Sequence, residues 1–261
     1  MIIKLQGGLG NQMFQYAFGR RESIKKNQKL TLDLEYLVFP ERGETPRAFR
    51  LNVFNIQAAI IEPKRRGPVR RFFAKLGRKI LKKNSYYQSE KYFKDIEEII
   101  RKDFTLKHPL GDKAEQIARL INQNHSAVAL HIRRTDYVTD PATNRYHGVV
   151  EADYYRRAAD YLIGKDIKPE FFVFSDDIDW AKKNLDPRLP TTFVSDGEIK
   201  DYEELFLMSL CRHHIIANSS FSWWGAWLDP RPDKIVIAPC SWFAAKSRHD
   251  SDIVPAEWIR L

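Results

Sequence analysis

The sequence predicts an α/β fold of two units, each a mostly parallel sheet covered by helices, facing one another across a cleft. Three observations carry this. Between residues 126 and 245, short uninterrupted apolar runs alternate with stretches of helical spacing, which is how strands buried on both faces read. The chain opens with a strand–turn–helix–strand order over residues 2–34. And 261 residues, 43% hydrophobic and 30% charged, suit one large or two ordinary soluble domains with substantial cores.

Taken in order, residues 2–5 read as a strand, 7–10 as a glycine turn, 11–25 as a helix and 30–34 as a second strand. Pro40, Gly43 and Pro46 break the next stretch into loops, with a strand near 51–56. Residues 64–83 hold ten Lys or Arg and no acid, with Val69, Phe72, Phe73, Leu76 and Ile80 on one helical face. A helix over 112–123 leads into the second unit. There the strands are 127–132, 171–174, 192–194, 213–217 and 235–238, and the helices 154–163, 178–184, 202–210 and 222–228. The change of pattern places the boundary near 125. In such sheets ligands bind outside the carboxyl ends of the strands.

The net charge of +9 points to anionic company: nucleic acid, phosphorylated small molecules or a membrane surface. Cys211 and Cys240 form neither a metal cluster nor a disulfide framework, and read as two inert thiols in a reducing compartment. The residues before Gly7 leave no room for the apolar core of a signal peptide, and no run reaches the ~18 apolar residues of a spanning helix. A cytoplasmic location is expected.

Four clusters sit at predicted strand-to-helix junctions. Gly7-Gly8-Leu9-Gly10-Asn11-Gln12 offers a tight turn, close backbone approach and a helix N-terminus for phosphate. It is neither the dinucleotide fingerprint nor a P-loop, and a plain tight turn explains the glycines equally well. Asn11 and Gln12 add polar groups placed to hold a ligand. His131-Ile132-Arg133-Arg134-Thr135-Asp136 ends a strand. Alternation puts His131 and Arg133 on one face and Arg134 on the other, pairing with Asp136 or another carboxylate. Arg133 is thereby aimed at the cleft, and a guanidinium binds phosphate bidentately. Ser175-Asp176-Asp177 offers helix caps, or carboxylates for guanine N1–H and its amine. Without a second cluster of oxygen ligands no metal is expected there. Asn218-Ser219-Ser220 precedes Trp223, Trp224 and Trp227. Its hydroxyls and N–H groups suit phosphate or ribose, and the tryptophans read as core. Together the clusters suit a nucleoside diphosphate.

These motifs, with Met13-Phe14-Gln15-Tyr16, Tyr137 and Phe174, resemble the bacterial alpha-1,2-fucosyltransferases of glycosyltransferase family 11. The resemblance runs in the family's order from residue 3 to about 240. It implies a GT-B type fold with two Rossmann-like domains: an acceptor-side domain over 1–125, a GDP-sugar-binding domain over 126–245 and a tail over 246–261. It also implies a GDP-fucose donor, a beta-galactoside acceptor fucosylated at the 2-hydroxyl with inversion, no metal and no cofactor. Arg133 would contact the β-phosphate, and Ser219 and Ser220 the diphosphate. His131, Ser175, Asp176 and Asp177 would lie near the nucleoside, with Gly8, Gly10 and Asn11 across the cleft. His147 and Asp140, on an expected loop, are the candidates for a catalytic base, although a loose transition state need not require a strong one.

Two alternatives stay open: a fucosyltransferase of another linkage or other GDP-sugar transferase, and a basic nucleic-acid-binding protein working through 64–83. No nucleic-acid motif accompanies that segment, so no nucleic acid is expected. It either packs its apolar face and leaves its charges in solvent, or also holds the protein peripherally at the inner membrane face, near a lipid-linked acceptor.

Overall fold

The structure is a computed structural model that describes residues 1–40, 45–63, 86–185, 189–244 and 251–261. The basic segment 64–83 lies outside the described residues. The chain divides into two compact units, Met1–Lys107 and His108–Leu261.

The first unit carries a parallel sheet of β1 (Ile2–Lys4), β2 (Thr31–Asp33) and β3 (Ala59–Ile61), with Ile3 opposite Leu32 and Leu32 opposite Ile60. Helix α1 (Leu9–Lys25) crosses from β1 to β2, and α2 (Glu35–Val38) follows. The helix lies so close to the sheet that a Cβ on Gly19 would sit 2.5 Å from Ile3 Cγ1. The expected strand near 51–56 is instead a 3-10 turn, Leu51–Val53. Phe54 is buried edge-on against Phe104, 5.5 Å between centroids, which pulls this stretch off the sheet. The third strand is Ala59–Ile61, exposed at all three residues; an edge strand with no buried face leaves little pattern to read. Helix α3 (Glu97–Asp103) presents Asp103, which accepts from Tyr16 Oη at 2.6 Å and Arg20 Nε at 2.9 Å.

The second unit is built on six parallel strands in the order β6-β5-β4-β7-β8-β9: β4 (Ala127–Ile132), β5 (Glu170–Ser175), β6 (Thr191–Phe193), β7 (His213–Ile215), β8 (Val236–Ala238) and β9 (Ile259–Arg260). This is the strand order of the dinucleotide-binding fold, with its reversal point between β4 and β7. Every residue of β4 is buried. Val128, Leu130 and Ile132 face α7 (Ala152–Ile163), while Ala127 and Ala129 face α4 (Asp112–Gln123) and α9 (Asp201–Leu210). Alternation along β4 thus works as expected.

Two boundaries differ from the sequence reading. Helix α4 packs Ala114, Ile117, Ala118 and Ile121 into the second unit's core, so the division falls at 107/108 and not near 125. Of the expected tail over 246–261, the described residues 251–261 are packed onto the second unit. β9 pairs with β8, Trp258 packs 5.4 Å from Trp223, and Trp223 Nε1 donates to Ile253 O at 2.7 Å. The tryptophans of α10 (Ser220–Leu228) are core, as expected.

A buried ion network fastens the sheet behind α10. Asp229, fully buried, accepts from Arg231 Nε at 2.7 Å and lies 3.0 Å from His214 Nε2. Arg231 also donates to the carbonyls of Leu210 and Cys211 at the end of α9. Burial pushes the Asp229 pKa up, but the bonds from His214 and Arg231 outweigh it and bring it down to about 2. A depressed carboxyl stabilises above its ordinary value of 3.8, and the contribution is lost as pH falls through about 2. Asp229→Ala leaves Arg231 unpaired and should lower stability at pH 7 by about 3 kcal/mol or more. Urea unfolding checks this, and the difference from wild type should shrink below pH 4.

Candidate active site

Strand β4 delivers two arginines to the carboxyl edge of the second sheet, and alternation sends them apart. Arg134 turns toward α7 and α8 (Ile178–Asn184). Its guanidinium lies 4.1 Å over the Trp180 ring and 3.5 Å from Asp177. This is a structural arginine, paired with another carboxylate as the sequence allowed. Arg133 lies on the opposite side of the strand, its side chain 31% exposed, with Nη1 3.2 Å from Asp176 Oδ2. Its guanidinium carbon is 5.7 Å from the Tyr137 ring centroid.

Asp176 holds this edge together. Its carboxylate accepts from the Arg134 N–H at 2.8 Å, the Thr135 N–H at 3.1 Å and the Thr135 hydroxyl. It therefore ties the end of β5 to the start of α5 (Thr135–Thr139) while holding Arg133. Asp177 caps α8, accepting from the Trp180 N–H at 3.1 Å. Ser175 Oγ accepts from the Asp177 N–H, and the Ser175 N–H donates to Ser195 Oγ, each at 2.9 Å. All three residues of the motif build the loop first, as the capping reading anticipated.

His131 is buried, with its ring 5.6 Å from Phe221. Burial pushes its pKa down to about 3, against the pull of Asp176 and with the push of Arg133, so the imidazole is neutral. Its Nδ1 has no hydrogen-bond partner among the described residues, leaving a polar atom at the reversal point able to bond a ligand.

Asp140 and His147, expected on a loop, instead flank and end a helix: α5 is followed by α6 (Pro141–His147). Asp140 is the N-cap of α6, accepting from the Ala142 N–H at 3.0 Å and Thr143 Oγ1 at 2.6 Å. These bonds, Thr143's foremost, hold its carboxyl below the usual range, which weakens it as a base. His147 ends the helix and stacks on Tyr137, 4.7 Å between centroids at 7°. Asn218 closes the cluster: Nδ2 donates to His147 O at 2.8 Å, and its own carbonyl accepts from Tyr137 Oη at 3.3 Å. The arginine motif and the Asn-Ser-Ser motif thus meet through Tyr137 and Asn218. Asn218 was visible inside a motif; the role of Tyr137 depends on a fold no local pattern announces. Ser219 caps α10, accepting from the Phe221 N–H at 3.3 Å, and Ser220 opens the helix.

Gly8, Gly10 and Asn11 lie in the first unit. Gly7 takes φ +78°, a conformation that favours glycine. Gly8 starts α1 with no side-chain cap, and a Cβ there would meet nothing within 4 Å. Gly10 is buried in the first turn of α1. Asn11 Oδ1 accepts from Gln88 Nε2 at 2.7 Å. Gln12, expected as a polar group for a ligand, is instead fully buried: it donates to Gly7 O and Ala48 O and accepts from the Arg50 N–H.

The two neighbouring aspartates separate by experiment. Asp177→Ala removes one cap and should cost about 1 kcal/mol, read by denaturant unfolding. Asp176→Ala should cost more, since two backbone donors and a hydroxyl lose their acceptor together, and it should also mobilise Arg133.

The sequence matches Glycosyl transferase family 11 over residues 1–261. It is 34% identical to the Escherichia coli O-antigen biosynthesis glycosyltransferase WbnK, covering 100% of both chains. It is 33% identical to an E. coli alpha-1,2-colitosyltransferase, covering 100% of this chain and 98% of that one. To the Gorilla gorilla gorilla galactoside alpha-(1,2)-fucosyltransferase 1 it is 29% identical over 72% of this chain and 54% of the relative. A crystal structure of the fucosyltransferase NodZ from Bradyrhizobium aligns with TM-score 0.50 and 14% identity, over 90% of this chain and 93% of that one. That likeness is one of fold, and the fold is the expected α/β, GT-B type. With the family matched from end to end, the chain belongs to glycosyl transferase family 11.

Proposed function

We propose that this glycosyltransferase moves L-fucose from GDP-beta-L-fucose to the 2-hydroxyl of a beta-galactoside, with inversion and with neither metal nor cofactor. The observation that carries this is Arg133, held by Asp176 at the reversal point of a Rossmann-like sheet in a family 11 chain. The acceptor's O2 attacks C1 of fucose, the C1–O bond to the β-phosphate breaks, and GDP leaves with the electron pair. The beta-linked donor becomes an alpha-linked product, and the O2 proton passes to a base or to water. Arg133 neutralises charge building on the departing diphosphate, aided by the N–H groups at the start of α10 behind Ser219 and Ser220. The neutral His131, with its Nδ1 available, serves the nucleoside. Asp176 and Asp177 are bonded to protein groups, so the charge balance is assigned to Arg133 and not to a cation on these carboxylates.

Of the two candidate bases, His147 stands in the Tyr137–Arg133 cluster, while the Asp140 carboxylate is engaged in capping. His147 is the reading kept. The reading of the donor has one competitor. Colitose is fucose lacking the 3-hydroxyl, and the 33% identical relative is an alpha-1,2-colitosyltransferase. Supplying GDP-fucose, GDP-colitose and GDP-mannose with a panel of galactosides, and determining product linkage, separates these readings.

Arg133→Ala and Arg133→Lys should each cut turnover at least about 100-fold, because a preorganised charge contact on a leaving group is worth ~3 kcal/mol. Near-normal turnover of either would overturn the leaving-group role. Activity should persist in EDTA; loss restored by Mg²⁺ or Mn²⁺ would make the Asp176–Asp177 pair ligands.

A further inference from the structure

Asn218 stands between β7 and α10, one residue before Ser219 and Ser220, and is 3% exposed. A primary amide carries two N–H donors, and here they face carbonyls. Nδ2 lies 2.8 Å from His147 O and 3.3 Å from Trp242 O, with Gly148 O at 3.5 Å. Two of these carbonyls belong to the end of α6, and the third lies beyond β8. The backbone carbonyl of Asn218 accepts in turn from Tyr137 Oη at 3.3 Å, which ties in α5. One residue therefore fastens three segments to the end of β7, across 71, 24 and 81 residues of chain.

What it fastens bears on Arg133. The Tyr137 ring stacks on His147, 4.7 Å between centroids at 7°, and Phe243, next to Trp242, meets the His147 ring at 5.8 Å. The Arg133 guanidinium carbon lies over the Tyr137 ring at 5.7 Å, while its Nη1 meets Asp176 at 3.2 Å. Arg133 thus has two supports, a carboxylate that follows β5 and an aromatic face on α5. The second is only as fixed as the stack that carries it. We propose that Asn218 is a positioning residue for the transfer reaction: its amide holds the Tyr137–His147 stack in place, and the stack sets where the Arg133 guanidinium stands. This rests on the donor reading above.

The place demands this side chain. An aspartate would keep the shape but set a carboxylate against carbonyl oxygens, and an apolar residue would leave those carbonyls without their donor. Packing alone does not account for the amide, because Asn218 Oδ1 is buried and has no hydrogen-bond partner among the described residues. An acceptor left without a donor is a cost that side chains kept only for structure rarely carry. The neighbouring Ser219 caps α10, so the residue that steadies the arginine's aromatic support also adjoins the N–H groups assigned to the diphosphate. Rates are sensitive to such registration: a displacement of about 1 Å caused by a group that touches no substrate can cost about 100-fold.

The test measures kcat, donor KM and calorimetric GDP affinity of the full chain carrying Asn218→Ala, Asn218→Asp, Tyr137→Phe, Arg133→Ala or the Asn218→Ala/Arg133→Ala pair. Circular dichroism at the assay temperature establishes that each is folded. Asn218→Ala and Asn218→Asp should each lower kcat at least about fivefold, while GDP affinity falls no more than about threefold. The Asp variant keeps the shape, so its loss is one of donors and not of packing. Tyr137→Phe removes one oxygen, keeps both ring contacts, and should lower kcat at least about twofold. In the Arg133→Ala background, adding Asn218→Ala should cost less than about threefold further, since both changes disturb one contact. A merely structural amide would slow both backgrounds alike. Should the Asn218 variants fail to fold, Tyr137→Phe decides alone. Smaller losses in Asn218→Ala or Tyr137→Phe, GDP affinity falling in step with turnover, or multiplicative losses in the pair overturn the proposal. Arg133→Ala alone separates the two readings. If it stays active, the donor reading has failed and the proposal with it; if it is inactive while Asn218→Ala is active, only the positioning role falls.

Discussion

The ends of two adjacent strands, β4 and β5, meet at one carboxylate. Asp176 accepts from two backbone N–H groups and a hydroxyl that follow β4, and its Oδ2, which takes both Thr135 groups, also meets the Arg133 guanidinium. Parallel pairing of His131 with Phe174 and Ile132 with Ser175 brings Asp176 beside the residues that leave β4. A charged acceptor in that place satisfies helix-start donors that would otherwise face no partner. It also supplies the counter-charge that holds an arginine in one geometry before any phosphate arrives. Helix α5, the loop 175–177 and Arg133 all depend on this contact.

The same device recurs elsewhere in the chain, with different consequences. Asp103 gathers Tyr16 and Arg20 in the first unit, and Asp229 gathers His214 and Arg231 in the second. Both are buried, and a buried carboxylate persists as an ion only when its donors are well placed. These two knots lie within packed elements and hold structure. Asp176 differs because its own side chain is 20% exposed and its arginine stands at the reversal point of the sheet, beside the neutral His131. Chemistry is possible there because neither member of the ion pair is buried.

Much of this was legible in the chain. Strand β4 and helices α4 and α8 stand where the apolar spacing puts them, because fully buried strands and amphipathic helices each impose their own period. The divergence of Arg133 and Arg134 followed from strand alternation alone. The tryptophans were readable as core because large aromatic side chains at helical spacing have few other places to go. The third strand of the first unit was not legible: Ala59–Ile61 has no buried face, so its pairing with β2 imposes no alternation. The role of 253–260 was likewise hidden, since a two-residue strand and two anchoring contacts write no periodic signal.

The site divides along the same line. By itself the sequence determined which groups stand at strand ends, since local period and turn chemistry depend on near neighbours: His131, Arg133, Asp176, Ser219. Only the tertiary structure decided how those groups are used. It made Gln12 structural, since two of the groups it engages lie 36 and 38 residues along the chain. It joined Tyr137, His147 and Asn218 over gaps of 71 and 81 residues. Hydrogen-bond partners are chosen by distance in three dimensions, and a linear pattern carries that information only where partners happen to be close along the chain.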